Sequence, residues 1–395
     1  MRIGVDATCW TNRRGYGRFA RSLLRPAVAL DRSNHYVFFA DDASDEFPFP
    51  DGVELVRVAS DVPTVKAAAA DGSRSLSDMW AMSRAMSKCP LDLFFFPSVY
   101  SYVPLFSSVP KVITIHDVIP ERFPKMVFPT RRSKLFWRTK VALACAQARL
   151  VLTVSEYSRR CLAETLHLSP QRLRVVDEAG DPAFRHVPGL DTEPLIRRLG
   201  VLPGTRLLAY VGGFSPHKNL IPLISWFSAA FQSEEFASVK LVLVGDFEGD
   251  PFFSCYPILQ RQIQKHRMQD RVLFPGYMKD DELRALFHAC AALVLPSMCE
   301  GFGLPAVEAA ACGAPVIVTT ESPLPELLGE GAIALRPDDS KGWVDALTRV
   351  VSDETLRRKM SAAGLAAAAK LSWENSARQL LAIFDEVRGN RVPAA

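Results

Sequence analysis

Short runs of apolar, often β-branched residues recur along the whole chain, each bounded by turn formers. Longer stretches lie between them in which apolar positions return every three or four residues. The first kind of run suits a strand covered on both faces, and the second suits an amphipathic helix. Strands are predicted at 2–6, 35–40, 53–58, 93–97, 112–116, 150–155 and 173–176, and again at 207–212, 240–245, 272–276, 292–296, 315–319 and 332–335. Strand alternating with helix predicts an α/β protein with parallel sheets. Between 177 and 205, Gly180-Asp181-Pro182, Pro188-Gly189 and Pro203-Gly204 interrupt the pattern, and the interdomain linker is expected there. Two doubly wound domains follow from this, at 1–185 and 186–372. Helical patterns close the chain at 341–351, 354–370 and 373–387, and the segment 373–395 is expected to return to the first domain. Doubly wound sheets bind ligands outside the carboxyl ends of their strands, so two of them in series are expected to face each other across a cleft. The loops that leave those ends are the ones to search for chemistry.

Composition narrows the classes. The chain has 395 residues, of which 48% are hydrophobic and 23% charged, a balance typical of globular domains. A formal net charge of +4 gives no field of the kind a nucleic-acid binder carries. The start, Met1-Arg2-Ile3-Gly4-Val5-Asp6, lacks the long apolar core of a signal peptide. No stretch approaches the roughly 18 apolar residues of a membrane span. The eight cysteines show no Cys-x-x-Cys spacing and read as scattered thiols of a reducing compartment. A cytoplasmic location is the expectation.

The richest loop follows the predicted strand 292–296. It runs Ser297-Met298-Cys299-Glu300-Gly301-Phe302-Gly303 into a predicted helix from Leu304 to Cys312, with Pro305 in its first turn and Gly313 just beyond its end. Gly301 and Gly303 allow backbone to approach a ligand, and the free N–H groups of a helix start favour an anion such as phosphate. Glu300 and Glu308 place one carboxylate on either side of that backbone, which suits a ligand with phosphates between two sets of hydroxyls. From spacing alone, a solvent-facing Glu and a turn glycine chosen for its geometry fit about as well.

The stretch from Pro296 through Glu300, Gly301, Gly303, Pro305 and Glu308 to Gly313 and Pro315 resembles the Glu-x7-Glu signature of retaining glycosyltransferase family 4, whose fold is GT-B. The resemblance implies that Glu300 faces the hydroxyls of a donor sugar and that Glu308 accepts both hydroxyls of the nucleotide ribose. It places the backbone of Gly301, Phe302, Gly303 and Leu304 along the donor sugar and phosphates. Gly212-Gly213-Phe214-Ser215-Pro216-His217-Lys218 resembles the diphosphate-binding loop of the same family, with Lys218 on the leaving diphosphate. Many members carry Arg where this chain has Gly213, and related subgroups carry Arg where it has His217. A substituting His217 would hold a charge that depends on pH near neutrality.

In the first domain, His116-Asp117 at the end of a predicted strand resembles the loop whose His contacts the donor sugar, with Asp117 as an orienting or acceptor-side group. A lone His at such a place is otherwise more often structural. Gly15 and Gly17, beside Arg13, Arg14 and Arg18, resemble the family's glycine loop near donor phosphates and acceptor, although a plain turn would serve the same spacing. Asp246 and Tyr277-Met278 are implied to meet the nucleobase through backbone, which leaves its identity open between GDP and UDP donors.

Arg122, Lys125, Arg131, Arg132, Lys134, Arg138 and Lys140 surround the single acid Glu121 and interleave with Phe123, Phe128, Phe136 and Trp137. Such a cluster docks on anionic lipid when its aromatics are exposed, and is a plain solvated helix when they are core. A peripheral contact with the inner membrane leaflet, near a lipid-linked acceptor, is one expectation from it. Asp-x-Asp occurs nowhere, so sugar transfer is expected to need no metal and no cofactor beyond the nucleotide-sugar donor. The acceptor is expected to be a hydroxyl of a growing glycan or glycolipid in cell-surface polysaccharide synthesis, and the sugar a hexose such as mannose or glucose. An epimerase or phosphorylase of the same fold, or a sugar-nucleotide binder without catalysis, stays open as an alternative. A Rossmann dehydrogenase is disfavoured because no clean Gly-x-Gly-x-x-Gly followed by a ribose-binding acid comes after the first strand.

Overall fold

The computed structural model describes residues 1–13, 15–41, 47–61, 64, 75–246 and 254–389. Arg14 and the last residues of the segment 373–395 lie outside that set. The chain divides into two compact units, one of Met1–Glu178 with Ser372–Ala395, the other of Ala179–Leu371.

Among the described residues, the first unit holds seven strands: β1 (Arg2–Asp6), β2 (His35–Ala40), β3 (Glu54–Arg57), β4 (Leu93–Phe96), β5 (Lys111–Thr114), β6 (Ala148–Thr153) and β7 (Leu173–Val175). The second holds six: β8 (Leu207–Val211), β9 (Lys240–Val244), β10 (Val272–Gly276), β11 (Cys290–Leu295), β12 (Val316–Thr319) and β13 (Ala332–Leu335). Every pairing in both sheets is parallel. Such strands need helices on both faces, which is why their sequences are unbroken apolar runs rather than alternating ones. Phe38, Phe39, Phe94, Phe95 and Phe96 are fully buried, as are Leu241, Val242 and Leu243 in the second sheet.

The strand orders locate the site. The first sheet runs β3-β2-β1-β4-β5-β6-β7 and the second β10-β9-β8-β11-β12-β13. Each order reverses once, between β1 and β4 and between β8 and β11, and a doubly wound sheet opens its binding crevice at that reversal. In the second unit the two loops beside the crevice therefore begin after Val211 and after Leu295.

The boundary between the units lies at Glu178, inside the stretch 177–205, and the rest of that stretch carries structure of its own. Helix Glu193–Leu199 lies inside it and ends at Gly200, whose φ of 65° is left-handed. The segment before that helix is tied to the second unit: Val187 donates its N–H to His288 Nε2 at 2.9 Å, and His186 Nδ1 lies 3.2 Å from the carbonyl of Cys312. Helix Trp373–Arg388 belongs to the first unit and is fastened there. Phe384 packs edge-on against Phe95 with centroids 5.5 Å apart, and Trp373 meets Phe19 at 6.0 Å. Glu386 takes both ends of the Arg174 guanidinium, and Ser376 Oγ donates to the carbonyl of Asp177 at 2.5 Å.

Candidate functional site

In the second unit the loops after β8 and β11 are bound to each other. Met298 donates its N–H to the carbonyl of His217 at 2.8 Å. Lys218 Nζ reaches Glu300 Oε1 at 2.7 Å, and Ser297 Oγ donates to the same oxygen at 2.5 Å. Glu300 is 7% exposed. Burial alone would raise its pKa, but the Lys218 charge and the hydrogen bonds from Lys218 and Ser297 outweigh it and hold the carboxyl below its ordinary value. The result is a carboxylate and a cation side by side at the mouth of the crevice.

His217 stands differently from the sequence expectation of a charge that varies near neutrality. Burial, assisted by the adjacent Lys218 charge, lowers its pKa to about 3, so the ring is neutral at pH 7. Its Nδ1 is buried without a hydrogen-bond partner, so the ring offers a polar contact rather than a second positive charge.

Helix Leu304–Ala311 begins at Gly303, whose φ of 94° is left-handed. A Cβ there would also come within 2.7 Å of Leu324 Cδ1, so both backbone angle and packing require glycine. The helix thus starts directly after the glycine turn, and the free N–H groups of a helix start suit an anion. Phe302 is buried beneath the turn. Glu308, one turn into the helix, is 2% exposed and accepts a long 3.4 Å hydrogen bond from the N–H of Asp181. Gly180 eases the approach of that segment, since a Cβ there would stand 3.3 Å from Glu308 Cγ, tight enough to displace that side chain slightly. Gly213 accepts a 2.6 Å hydrogen bond from the hydroxyl of Tyr210, which fixes the start of the Lys218 loop.

The first unit presents its own set. His116 sits just past β5, with both ring nitrogens buried and without partners, and its ring meets the edge of Phe19 at 4.8 Å. Burial lowers its pKa to about 4. Asp117 Oδ1 accepts the N–H of Ile119 at 2.9 Å and so shapes the turn into the short helix Ile119–Arg122. Gly17 has no room for a side chain, because a Cβ would fall 2.1 Å from the carbonyl of Asn12. Gly15 has open space around it, so nothing steric demands glycine there.

Arg21, Tyr16 and Tyr100 join this set without a signal in the sequence, and Glu121 and Trp137 of the basic cluster meet in a contact that the sequence does not show. Arg21, 6% exposed, donates to the carbonyls of Trp10 and Asn12 and thereby holds the loop after β1. Tyr16 stacks on Tyr100 at 5.3 Å, and Tyr100 lies against Trp137 at 4.9 Å. Glu121 accepts the indole N–H of Trp137 at 2.6 Å, and burial raises its pKa to about 6. Their types are unremarkable in sequence. Only the fold brings together positions this far apart.

A pH effect follows from the two histidines. Their folded pKa values, about 4 and about 3, lie below the ordinary 6.5. Between those limits the unfolded chain binds more protons than the folded one, so stability falls as pH drops. Melting is expected to occur at lower temperature at about pH 5 than at about pH 7.5, and His116→Asn to show the smaller drop. An undiminished drop in that variant would assign the effect to other groups.

Two family models match the chain. Residues 15–183 match the one described as Glycosyltransferase Family 4, and residues 191–366 the one described as Glycosyl transferases group 1. The O-antigen chain mannosyltransferase B of Escherichia coli is 26% identical over 276 residues, covering 68% of each chain. The D-inositol 3-phosphate glycosyltransferase of Corynebacterium glutamicum (strain R) is 30% identical over 226 residues, 56% of this chain and 53% of that one. Among solved structures, the sucrose-phosphate synthase of Thermosynechococcus elongatus superposes with a TM-score of 0.75 at 18% identity, over 99% of this chain and 100% of that one. Anabaena HepE in complex with UDP-glucose gives a TM-score of 0.72 at 19% identity, over 98% and 100%. At these identities the two structures speak for the fold.

Proposed function

The chain belongs to glycosyltransferase family 4, the group 1 glycosyltransferases, and from that premise we propose that it moves a hexose from a nucleoside-diphosphate sugar to a hydroxyl of a growing glycan or glycolipid. The observation that carries the donor assignment is the partly buried Lys218–Glu300 pair at the mouth of the β8–β11 crevice. Its carboxylate suits sugar hydroxyls, and its cation suits the diphosphate next to them. Glu308 takes the ribose, and the backbone of Gly301–Leu304 takes the phosphates. By the family resemblance, His116 is assigned to the donor sugar and Gly15 and Gly17 to the donor phosphates.

As the anomeric carbon–oxygen bond to the diphosphate breaks, its electrons stay with the diphosphate. Lys218 and the helix amides stabilise that charge. The acceptor oxygen bonds the anomeric carbon as its proton passes to an oxygen of the leaving diphosphate, which holds the electron pair of the broken bond, and the family resemblance implies retained configuration. His217 supplies a neutral hydrogen bond in this scheme. Mannose and glucose are the favoured sugars, with GDP and UDP as carriers: one relative is a mannosyltransferase and one structural neighbour holds UDP-glucose. Thermal-shift measurements with GDP-mannose and UDP-glucose test the reading, and a protein whose melting responds to neither, nor to the free nucleoside diphosphates, would defeat it.

The acceptor side includes a surface that fits anionic lipid. No described helix is long and apolar enough to cross a membrane. Helix Arg131–Gln147, however, has no acidic residue, and exposes Leu135 (66%), Phe136 (49%) and Leu143 (42%) beside Arg131, Arg132 and Arg138. Trp137 turns inward to Glu121, so the aromatics of this cluster divide between core and surface. Apolar side chains flanked by cations insert at a headgroup boundary while the charges pair with phosphates. The protein is expected to sediment with phosphatidylglycerol vesicles and to be released when Arg131, Arg132 and Lys134 are all changed to Glu. Sedimentation unchanged by that reversal would remove this contact from the proposal.

A further inference from the structure

We propose that Ser297 is the positioning residue for Glu300, holding one oxygen of that carboxylate so that the other is presented to the donor sugar. This rests on the donor-site reading above. Ser297 is fully buried, at the first turn out of β11 after Pro296, and its hydroxyl donates to Glu300 Oε1 at 2.5 Å. A hydroxyl to carboxylate bond of this length is charge-assisted and directional. Lys218 Nζ meets the same oxygen at 2.7 Å, and among the described residues no donor reaches Oε2. The protein thus spends both donors on one oxygen and leaves its partner for ligand.

The two donors are not equivalent. Lys218 carries its charge on a long flexible stem, and the donor diphosphate is its other claimant. Ser297 has a single short rotor in a closed environment and faces no competitor. When Lys218 turns toward the diphosphate, Ser297 is the donor that keeps Glu300 oriented and favours its ionised form. The backbone around it is pinned separately, by Met298 N–H on the carbonyl of His217 and Glu300 N–H on the carbonyl of Glu321 at 2.9 Å. Removing the hydroxyl therefore frees the Glu300 side chain without unfastening the loop.

The test is calorimetric binding of UDP-glucose and GDP-mannose, and of UDP and GDP, to the wild type, Ser297→Ala, Glu300→Gln and the double variant. For whichever nucleotide-sugar binds, Ser297→Ala is expected to weaken it about tenfold, with less than about a twofold effect on the matching diphosphate. In the Glu300→Gln background the same change is expected to have no further effect, because coupled residues are not additive. The acid limb of nucleotide-sugar binding is expected to move to higher pH in Ser297→Ala, since the ionised carboxylate loses a donor. Ser297→Cys, which keeps the volume with a weak donor, is expected to fall between, and it serves if the alanine variant folds poorly. Equal loss for sugar-bearing and sugar-free ligands, a loss that persists beside Glu300→Gln, or no loss at all would overturn the proposal. Failure of the wild type to bind any of the four ligands would instead overturn the donor-site reading itself.

Discussion

Lys218→Met is expected to lower the rate of sugar transfer by about a hundred- to a thousandfold, the range seen when one preorganised charge-stabilising donor is removed from an active site. The leaving diphosphate gathers charge as the glycosidic bond breaks, and with His217 neutral the loop after β8 holds a single side-chain cation beside Glu300. The effect belongs in kcat more than in donor affinity, because the charge on the bridging oxygen appears only as the bond breaks. The substitution also leaves Glu300 without its cation. Breaking a fully buried pair costs about 3–5 kcal/mol, and less is expected here because Lys218 is partly open to water. Lys218→Arg separates the two effects: it keeps a cation for Glu300, so stability returns, while the altered reach toward the diphosphate restores only part of the rate. Single-turnover rates alongside melting curves provide the check. A Lys218→Met protein that melts normally and transfers within tenfold of the wild-type rate would contradict the assignment.

Glu308→Ala is the second large effect, and it is expected in binding. A carboxylate that accepts both ribose hydroxyls makes two charged hydrogen bonds, each worth about 1.5–3 kcal/mol, so nucleoside diphosphate affinity is expected to fall about a hundredfold or more. The discriminating ligand is the 2′-deoxynucleotide. The wild type is expected to bind it more weakly than the ribonucleotide, and Glu308→Ala to treat the two alike. A variant that still prefers the ribonucleotide would show that another group reads the ribose. Loss of the long contact from Asp181 N–H is a smaller consequence, because that bond is stretched to 3.4 Å.

The parts of this protein legible in its sequence are those governed by local pattern. The thirteen apolar runs correspond to the thirteen parallel strands among the described residues, with ends displaced by a residue or two where pairing extends or stops a run, as at Lys111 and Cys290. The helix starting at Leu304 was readable from Pro305 and Gly313, and the family from the resemblance of the whole stretch Pro296 to Pro315 to its signature rather than from spacing alone. The rest depends on contacts between distant positions. Nothing near Trp137 in sequence shows that its indole turns inward to Glu121 while neighbouring Phe136 stays outside. Nothing around His217 foretells a burial deep enough to keep it neutral, and a serine three residues before a glutamate announces no hydrogen bond to it. The boundary between the two units falls at Glu178, inside the Gly- and Pro-rich stretch, while the short helix Glu193–Leu199 within it carries no signal strong enough to be read from sequence.

The return of helix Trp373–Arg388 to the first unit bears on how the chain is made. Residues of the second unit are contiguous, so that unit can complete its core while still on the ribosome. The first unit cannot: Phe95, Phe19 and Arg174 wait for Phe384, Trp373 and Glu386, which are translated only after the whole second unit. Domains emerging from the ribosome usually mature in the order of synthesis. Here that order is expected to invert, with the face of the first unit that packs on this helix uncovered until Trp373–Arg388 emerges, the interval in which a chaperone would be of most use to it.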